Sequence, residues 1–300
     1  MVESIVQCKP SNTAAEFIKV LRRSDELWLP RGESQSLWLF RGVNSEKHEL
    51  LPKAWRPEIE EHPVFESIRD DDYDEFIKRA LGGVVNPSEV AERRARRIAQ
   101  QHAFEHAVLS SFAHFMNDIG YPLPGGFFPR QFDQSTIEVW ERLRKHESAF
   151  HPAYAIAQHH GLPTPLLDWT HNPLYAAFFA SSGADADLDG NLVVWALNRR
   201  NLYDSGEFGE FHVERASSGY LHAQEACFTF AVNADTYFMN HGEWPRLDQC
   251  LRGMSLVKLL LPKRERRELR RLLFVERCTA AHLMPSLDNI KTTLDEYWAR

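Results

Sequence analysis

The sequence predicts an α+β fold, and three observations carry that expectation. Helical patterns fill the first half of the 300-residue chain, strand-like apolar runs gather after Leu166, and no linker or internal repeat divides the two. The expected architecture is a single domain over residues 1–300, with its core at about 17–298. In it, a helical first half packs with a mixed or antiparallel sheet drawn largely from the second half. A chain of this length can bury a sizeable core.

Thr13-Ala14-Ala15-Glu16 has the spacing of a capping box, and Phe17, Val20 and Leu21 give the helix that follows one apolar face. Ser36 to Gly42 reads as a buried strand that ends in Arg41 and Gly42. An arginine in that position is either an anion anchor, its fork of donors matching carboxylate or phosphate oxygens, or half of a structural ion pair. Leu50 to Pro57 is an irregular loop with two further cations, Lys53 and Arg56. Glu58 to Asn86 is acidic and turn-rich, and the four aspartates between Arg69 and Asp74 fit a solvated loop better than a metal site.

Asn86-Pro87-Ser88-Glu89 opens a long helix with a cap, a proline in the first turn and an acid near its N-terminus. Phe104, Val108, Phe112, Phe115 and Ile119 recur at helical spacing, which places its second half in the core. Arg93, Arg94, Arg96 and Arg97 make a basic patch on the first half, either a phosphate or acidic-partner contact or an exposed face balanced by acids. Tyr121 to Pro129 is a loop, and Ser135-Thr136-Ile137-Glu138 opens a short helix to about Lys145.

His151 to Gly183 concentrates the polar chemistry. A short apolar helix should stop at Gly161, since glycine tolerates the left-handed backbone of a helix end. A proline-rich turn leads to Leu166–Trp169, a buried strand. Thr170 and Asn172 offer side-chain oxygens to the first N–H groups of the next helix, and Pro173 suits its first turn. Leu174 to Ser182 is apolar on nearly every face and belongs inside. The Phe40 strand should be central and lie near Leu166–Trp169, because both are short and apolar enough for burial on both faces. Asn191–Leu197, Glu225–Val232 and Ser255–Leu261 supply further strands. Lys263–Leu273 is a charged amphipathic helix, and Pro285–Trp298 the closing one.

Hydrophobic residues make up 43% and charged residues 26%, as in soluble globular proteins, and the formal net charge is −7. That balance weighs against an anionic membrane, and against nucleic acid as the main partner. No apolar run approaches the roughly 18 residues of a membrane span, and no signal pattern opens the chain. Cys8, Cys227, Cys250 and Cys278 have neither framework nor metal-pair spacing, so reduced thiols in a cytoplasmic protein are expected. Dinucleotide, phosphate-loop, nucleophile-elbow and zinc-protease motifs are missing. The adjacent His159 and His160 point roughly 100° apart on a helix and rarely share an ion, so no metal is expected.

Together these motifs resemble the FRG-domain family. Phe40-Arg41-Gly42 is followed by Leu51-Pro52 and Arg56, then by Ala157 to Thr164, by Leu166 to Thr170, and by Asn172-Pro173 with Ala177 to Ala180. Gln224-x-Ala226-x-Phe228-Thr229 is similar to the family's glutamine-containing strand start, and Met284 to Asp288 to its ending. Val43, Pro165 and Ala226 depart from the residues frequent there, glutamine, arginine and glycine. The resemblance implies a bacterial protein, a toxin or phage-defence effector, with an ADP-ribosyltransferase-like fold and NAD as substrate. By that analogy Arg41, Gln158, Thr170 and Asp168 bind the substrate or its anionic groups, while Gln224, Glu225 and His159 serve the chemistry. Arg41, Gln158, His159, Asp168, Thr170 and Gln224 should therefore line one cleft. Residues alternate along a strand, so only one of Gln224 and Glu225 can enter it. If that one is Gln224, the alternative gains: a non-catalytic module binding a nucleotide, small molecule or protein partner.

Overall fold

Seven strands form one mixed sheet in the computed structural model: β1 (Gln7–Pro10), β2 (Trp38–Val43), β3 (Leu167–Thr170), β4 (Asn191–Asn198), β5 (Phe208–Phe211), β6 (Ala226–Ala231) and β7 (Leu256–Pro262). Their order is β1-β7-β4-β2-β3-β6-β5, with β1–β7 parallel and the other neighbours antiparallel. The structure describes residues 6–66, 77, 81–82, 86–123, 152–182, 188–214, 218–251 and 256–298. The acidic run Arg69–Asp74, the helix expected from Ser135 to Lys145 and most of the loop from Tyr121 to Pro129 lie outside the described residues.

The helices include α1 (Ala14–Val20), α2 (Glu89–Asp118), α3 (Ala153–His159), α4 (Pro173–Ser181), α5 (Arg199–Ser205), α6 (Gly219–Ala223), α7 (Ala234–His241), α8 (Arg266–Val275), α9 (Ala280–Leu283) and α10 (Leu287–Trp298). With five strands beyond Leu166 and a mainly antiparallel sheet, the class is α+β, as expected. Side chains alternate across a strand, and β2 follows that rule. Leu39 joins a core with Trp169, Trp195 and the α2 residues Ile98 and Phe104. Phe40 joins the opposite core with Val194, Ala196 and residues of α1, α4 and α8. The Phe40 strand is thus central and buried on both faces. Among the described residues no helix is long and apolar enough to cross a membrane.

Local signals fix the helix ends. Thr13 Oγ1 accepts from the Glu16 N–H (3.3 Å), but Glu16 reaches back to the Asn12 N–H (2.9 Å), one residue beyond the usual box. Helix α2 is capped by Ser88, whose hydroxyl accepts from the Ala91 N–H at 3.2 Å. Pro87 therefore precedes the cap instead of occupying the first turn. Phe104 and Val108 are buried, but Phe115 is 66% and Ile119 76% exposed, contrary to the helical-spacing expectation. At this end the helix buries the adjacent face, Leu109, Ala113 and Met116. Its buried middle is polar instead: Gln101, His102, Glu105 and His106 are all enclosed.

Helix α3 ends as its glycine predicts. Gly161 has φ +80°, its N–H donates to the Gln158 carbonyl (2.9 Å), and the Leu162 N–H donates to that of Ala157 (3.0 Å). At α4, Asn172 accepts from the Leu174 N–H at 3.1 Å, with Pro173 in the first turn. This helix lies against β2 at Gly42, where its backbone approaches the strand too closely for any side chain.

Candidate ligand cleft

The site begins with a split in the sheet. Strand β2 pairs with β4 along its whole length, from Trp38 opposite Asn198 to Val43 opposite Val193. Among the described residues it pairs with β3 only at Phe40 opposite Thr170. Beyond that pair β3 follows β6 instead, Asp168 lying opposite Phe228. The Arg41 guanidinium spans the divergence. Its Nη1 donates to the Asp168 carbonyl at 2.8 Å and also to the Asp168 carboxylate.

Each neighbouring polar group has a defined partner. Gln158 Nε2 donates to Asp168 Oδ1 at 3.0 Å, and the Thr164 hydroxyl donates to Gln158 Oε1. Thr170 Oγ1 donates to the Gln224 carbonyl (2.6 Å) and accepts from the Asn172 N–H (3.0 Å), so it ties the helix start to the far wall. Gln224 Nε2 donates to the Leu283 carbonyl at 3.1 Å. The His159 ring stacks on Tyr220, centroids 4.7 Å apart.

Arg41, Gln158, His159, Asp168, Thr170 and Gln224 all line this one cleft, whose cavity volume is about 120 Å³. Phe40, Trp169, Phe179, Leu221, Phe228 and Met284 supply its apolar walls.

Glu225 stands apart. It is not among the lining residues, and its carboxylate pairs with Arg23. Strand alternation does not separate Gln224 from Glu225. Gln224 caps the C-terminus of α6, Glu225 occupies a left-handed turn position at φ +48°, and β6 begins only at Ala226. A turn, not a pleat, turns the two side chains apart.

The electrostatics follow from this geometry. Burial alone would raise the Asp168 carboxyl, but the Arg41 charge and the donors of Arg41 and Gln158 outweigh it and hold the pKa below the ordinary carboxylate range. Asp168 is therefore ionised at neutral pH. Burial lowers His159, and the His160 charge lowers it further, against the opposing hydrogen bond from Gln224, so its imidazole is neutral there. Arg56 is depressed by burial and then by the Arg41 charge; His48 is depressed by burial and then by Arg56. Arg56 thus feels the Arg41 charge, although it lies outside the cleft lining. Among the described residues the buried Arg41 Nε has no hydrogen-bond partner.

A depressed folded-state carboxyl contributes stability that is full above its unfolded pKa and is lost as pH falls through the folded one. Asp168→Asn should therefore flatten the acid limb of the stability profile below roughly pH 4 and leave its slope near pH 8 unchanged. Urea midpoints across that range check this; parallel profiles for the two proteins would contradict it.

The basic patch on α2 is largely spoken for. Arg94 Nη1 donates to the Met239 (2.6 Å) and Asn240 (3.0 Å) carbonyls. Arg97 pairs with Glu60 at 3.3 Å and lies over the Phe65 ring. Arg94 and Arg97 tie α2 to its neighbours, and the Arg97–Glu60 and Arg96–Glu92 pairs balance part of the charge. The sequence patterns did not single out Tyr220, His48 or the Thr164–Gln158 bond, while Arg56 and Met284 entered as a loop cation or through the family resemblance, with no role in the site.

The FRG domain matches residues 94–188 of the chain. No curated protein and no solved structure matches it. The matched stretch contains most of α2 and all of α3, β3 and α4, and with them Gln158, His159, Asp168 and Thr170. Arg41 and Gln224 lie outside it and reach the cleft through the sheet.

Proposed function

Because the chain carries an FRG domain, we propose that the cleft built around it binds an NAD-type nucleotide, and that its task is binding without group transfer. We take the FRG-like unit to extend over residues 1–300, since strands from both sides of the matched stretch enter the same sheet. The observation that carries the binding reading is the unpartnered Nε–H of Arg41, buried beside a cleft that also feels the Arg56 charge. A buried donor without an acceptor costs roughly 1–3 kcal/mol, and a phosphate oxygen would remove that cost. Neutral His159 and Gln224 offer hydrogen bonds to ribose hydroxyls, and the aromatic walls offer faces to a planar ring.

Binding is favoured over transfer because Glu225, the carboxylate the ADP-ribosyltransferase analogy needs, is held by Arg23 away from the lining. A catalytic reading draws support from a different group. Asp168 is ionised and lines the cleft, where a negative charge would stabilise an oxocarbenium-like ribose. An NAD-consuming toxin or phage-defence effector, acting in the cytoplasm, follows from that second reading alone.

The test is NAD affinity and NAD turnover in wild type, Gln224→Ala, Glu225→Ala and Asp168→Asn. The expected result is no turnover in any form, affinity reduced about 2–10-fold by Gln224→Ala, and affinity unchanged by Glu225→Ala. Turnover in wild type that Asp168→Asn abolishes would replace the binding module with an enzyme.

A further inference from the structure

We propose that the chain holds a zinc-type metal site, formed by His171, Glu210 and Cys227 on the sheet beside the cleft. One nitrogen of His171, one carboxylate oxygen of Glu210 and the Cys227 sulfur all lie within 4.8 Å of one another. No sequence motif marks them, and the expectation of no metal rested on spacing alone.

The sheet register assembles them. Cys227 lies opposite Trp169 across β3 and β6, and Glu210 lies opposite Thr229, two residues beyond Cys227. Period-two alternation therefore puts Glu210 and Cys227 on the same face. His171 leaves the end of β3, anchored by its N–H to the Glu225 carbonyl at 3.2 Å. Glu210 and Cys227 are buried, 4% and 5% exposed, and His171 is half-buried.

The donor chemistry selects the ion. Thiolate, imidazole and carboxylate together suit zinc, whereas magnesium and calcium are bound through oxygen. The surroundings of Glu210 fit an ion as well. Arg199 Nε donates to Oε2 at 2.8 Å, which orients the carboxylate as an outer partner does, and His212 Nδ1 lies 3.6 Å from Oε1. His171 follows the cleft residue Thr170, and Cys227 sits between the cleft residues Ala226 and Phe228. An ion here would staple β3, β5 and β6 behind the ligand site. The competing arrangement is a metal-free ion-pair network around Glu210.

The full chain, stripped with a chelator, is titrated with Co²⁺ alone. The expected result is one ion per chain with thiolate-to-cobalt charge-transfer absorption. Cys227→Ser should remove that absorption, and His171→Ala should weaken binding at least about tenfold. Arg199→Ala should weaken it by roughly 10–100-fold, while Cys250→Ser changes nothing. If Cys227→Ser fails to fold, His171→Ala at its half-buried position decides. No stoichiometric binding by wild type, or binding that neither Cys227→Ser nor His171→Ala alters, would overturn the proposal. Nucleotide binding is not read in this experiment, so its outcome is separate from that of the cleft.

Discussion

Gly42→Ala is expected to destabilise the fold by about 3 kcal/mol or more, seen as a fall of roughly 6–12 °C in thermal midpoint. A Cβ at this position would sit 2.6 Å from the Ala180 nitrogen and closer still to the Ala176 carbonyl oxygen. Both are backbone atoms of α4, so no rotamer change relieves the overlap. Helix or strand must move. Strand β2 is central and paired throughout with β4, and α4 is buried on most of its surface, which leaves neither with room. Because α4 and β2 both line the cleft, the variant should lose ligand affinity as well. A thermal scan decides it: a midpoint within about 2 °C of wild type would mean that the close approach is absent.

Glu105→Ala is expected to cost about 2–5 kcal/mol. Glu105 is fully enclosed, and its Oε1 accepts from Trp55 Nε1 and Gln101 Nε2, both at 2.9 Å. Removing the carboxylate leaves the buried Trp55 N–H without that acceptor and opens a cavity in the core. The effect should reach the cleft. Gln101 also donates to the Ala54 carbonyl (2.8 Å), the Ala54 N–H donates to Thr164 (3.3 Å), and Thr164 bonds the Gln158 that holds Asp168. Glu105→Gln keeps the shape and one acceptor and should recover about half of the loss. Urea unfolding of the two variants checks this; equal midpoints for Ala and Gln would deny the carboxylate its bonding role.

How much of this was legible in the sequence depended on the range of the signal. Gly161, Asn172 and Pro173 act within one helix turn, and their local rules placed α3 and α4 correctly. The apolar runs at Phe40 and Leu166 were short enough to require burial on both faces, which put β2 and β3 side by side at the centre. The six polar residues of the cleft were recoverable because each interrupts an apolar segment and must find a partner when buried. Glu225 was misread because its backbone leaves the strand for a left-handed turn that no nearby glycine announces. The polar core of α2 was hidden for another reason. Gln101 and Glu105 look like solvent-facing residues until Trp55 and Ala54, roughly fifty positions away, supply their bonds. Phe115 and Ile119 kept the helical period, but the buried face there runs through Leu109, Ala113 and Met116, so periodicity alone chose the wrong face.

The most direct test of the cleft as a nucleotide site is calorimetric titration of NAD into wild type and Arg41→Ala, with folding of each checked by thermal melting. Arg41 is the charge at the split in the sheet, and a charge-assisted hydrogen bond contributes roughly 1.5–3 kcal/mol. The account predicts saturable binding by wild type and affinity reduced by roughly 10–150-fold in folded Arg41→Ala. No binding by wild type, or equal affinity in the two proteins, would contradict it.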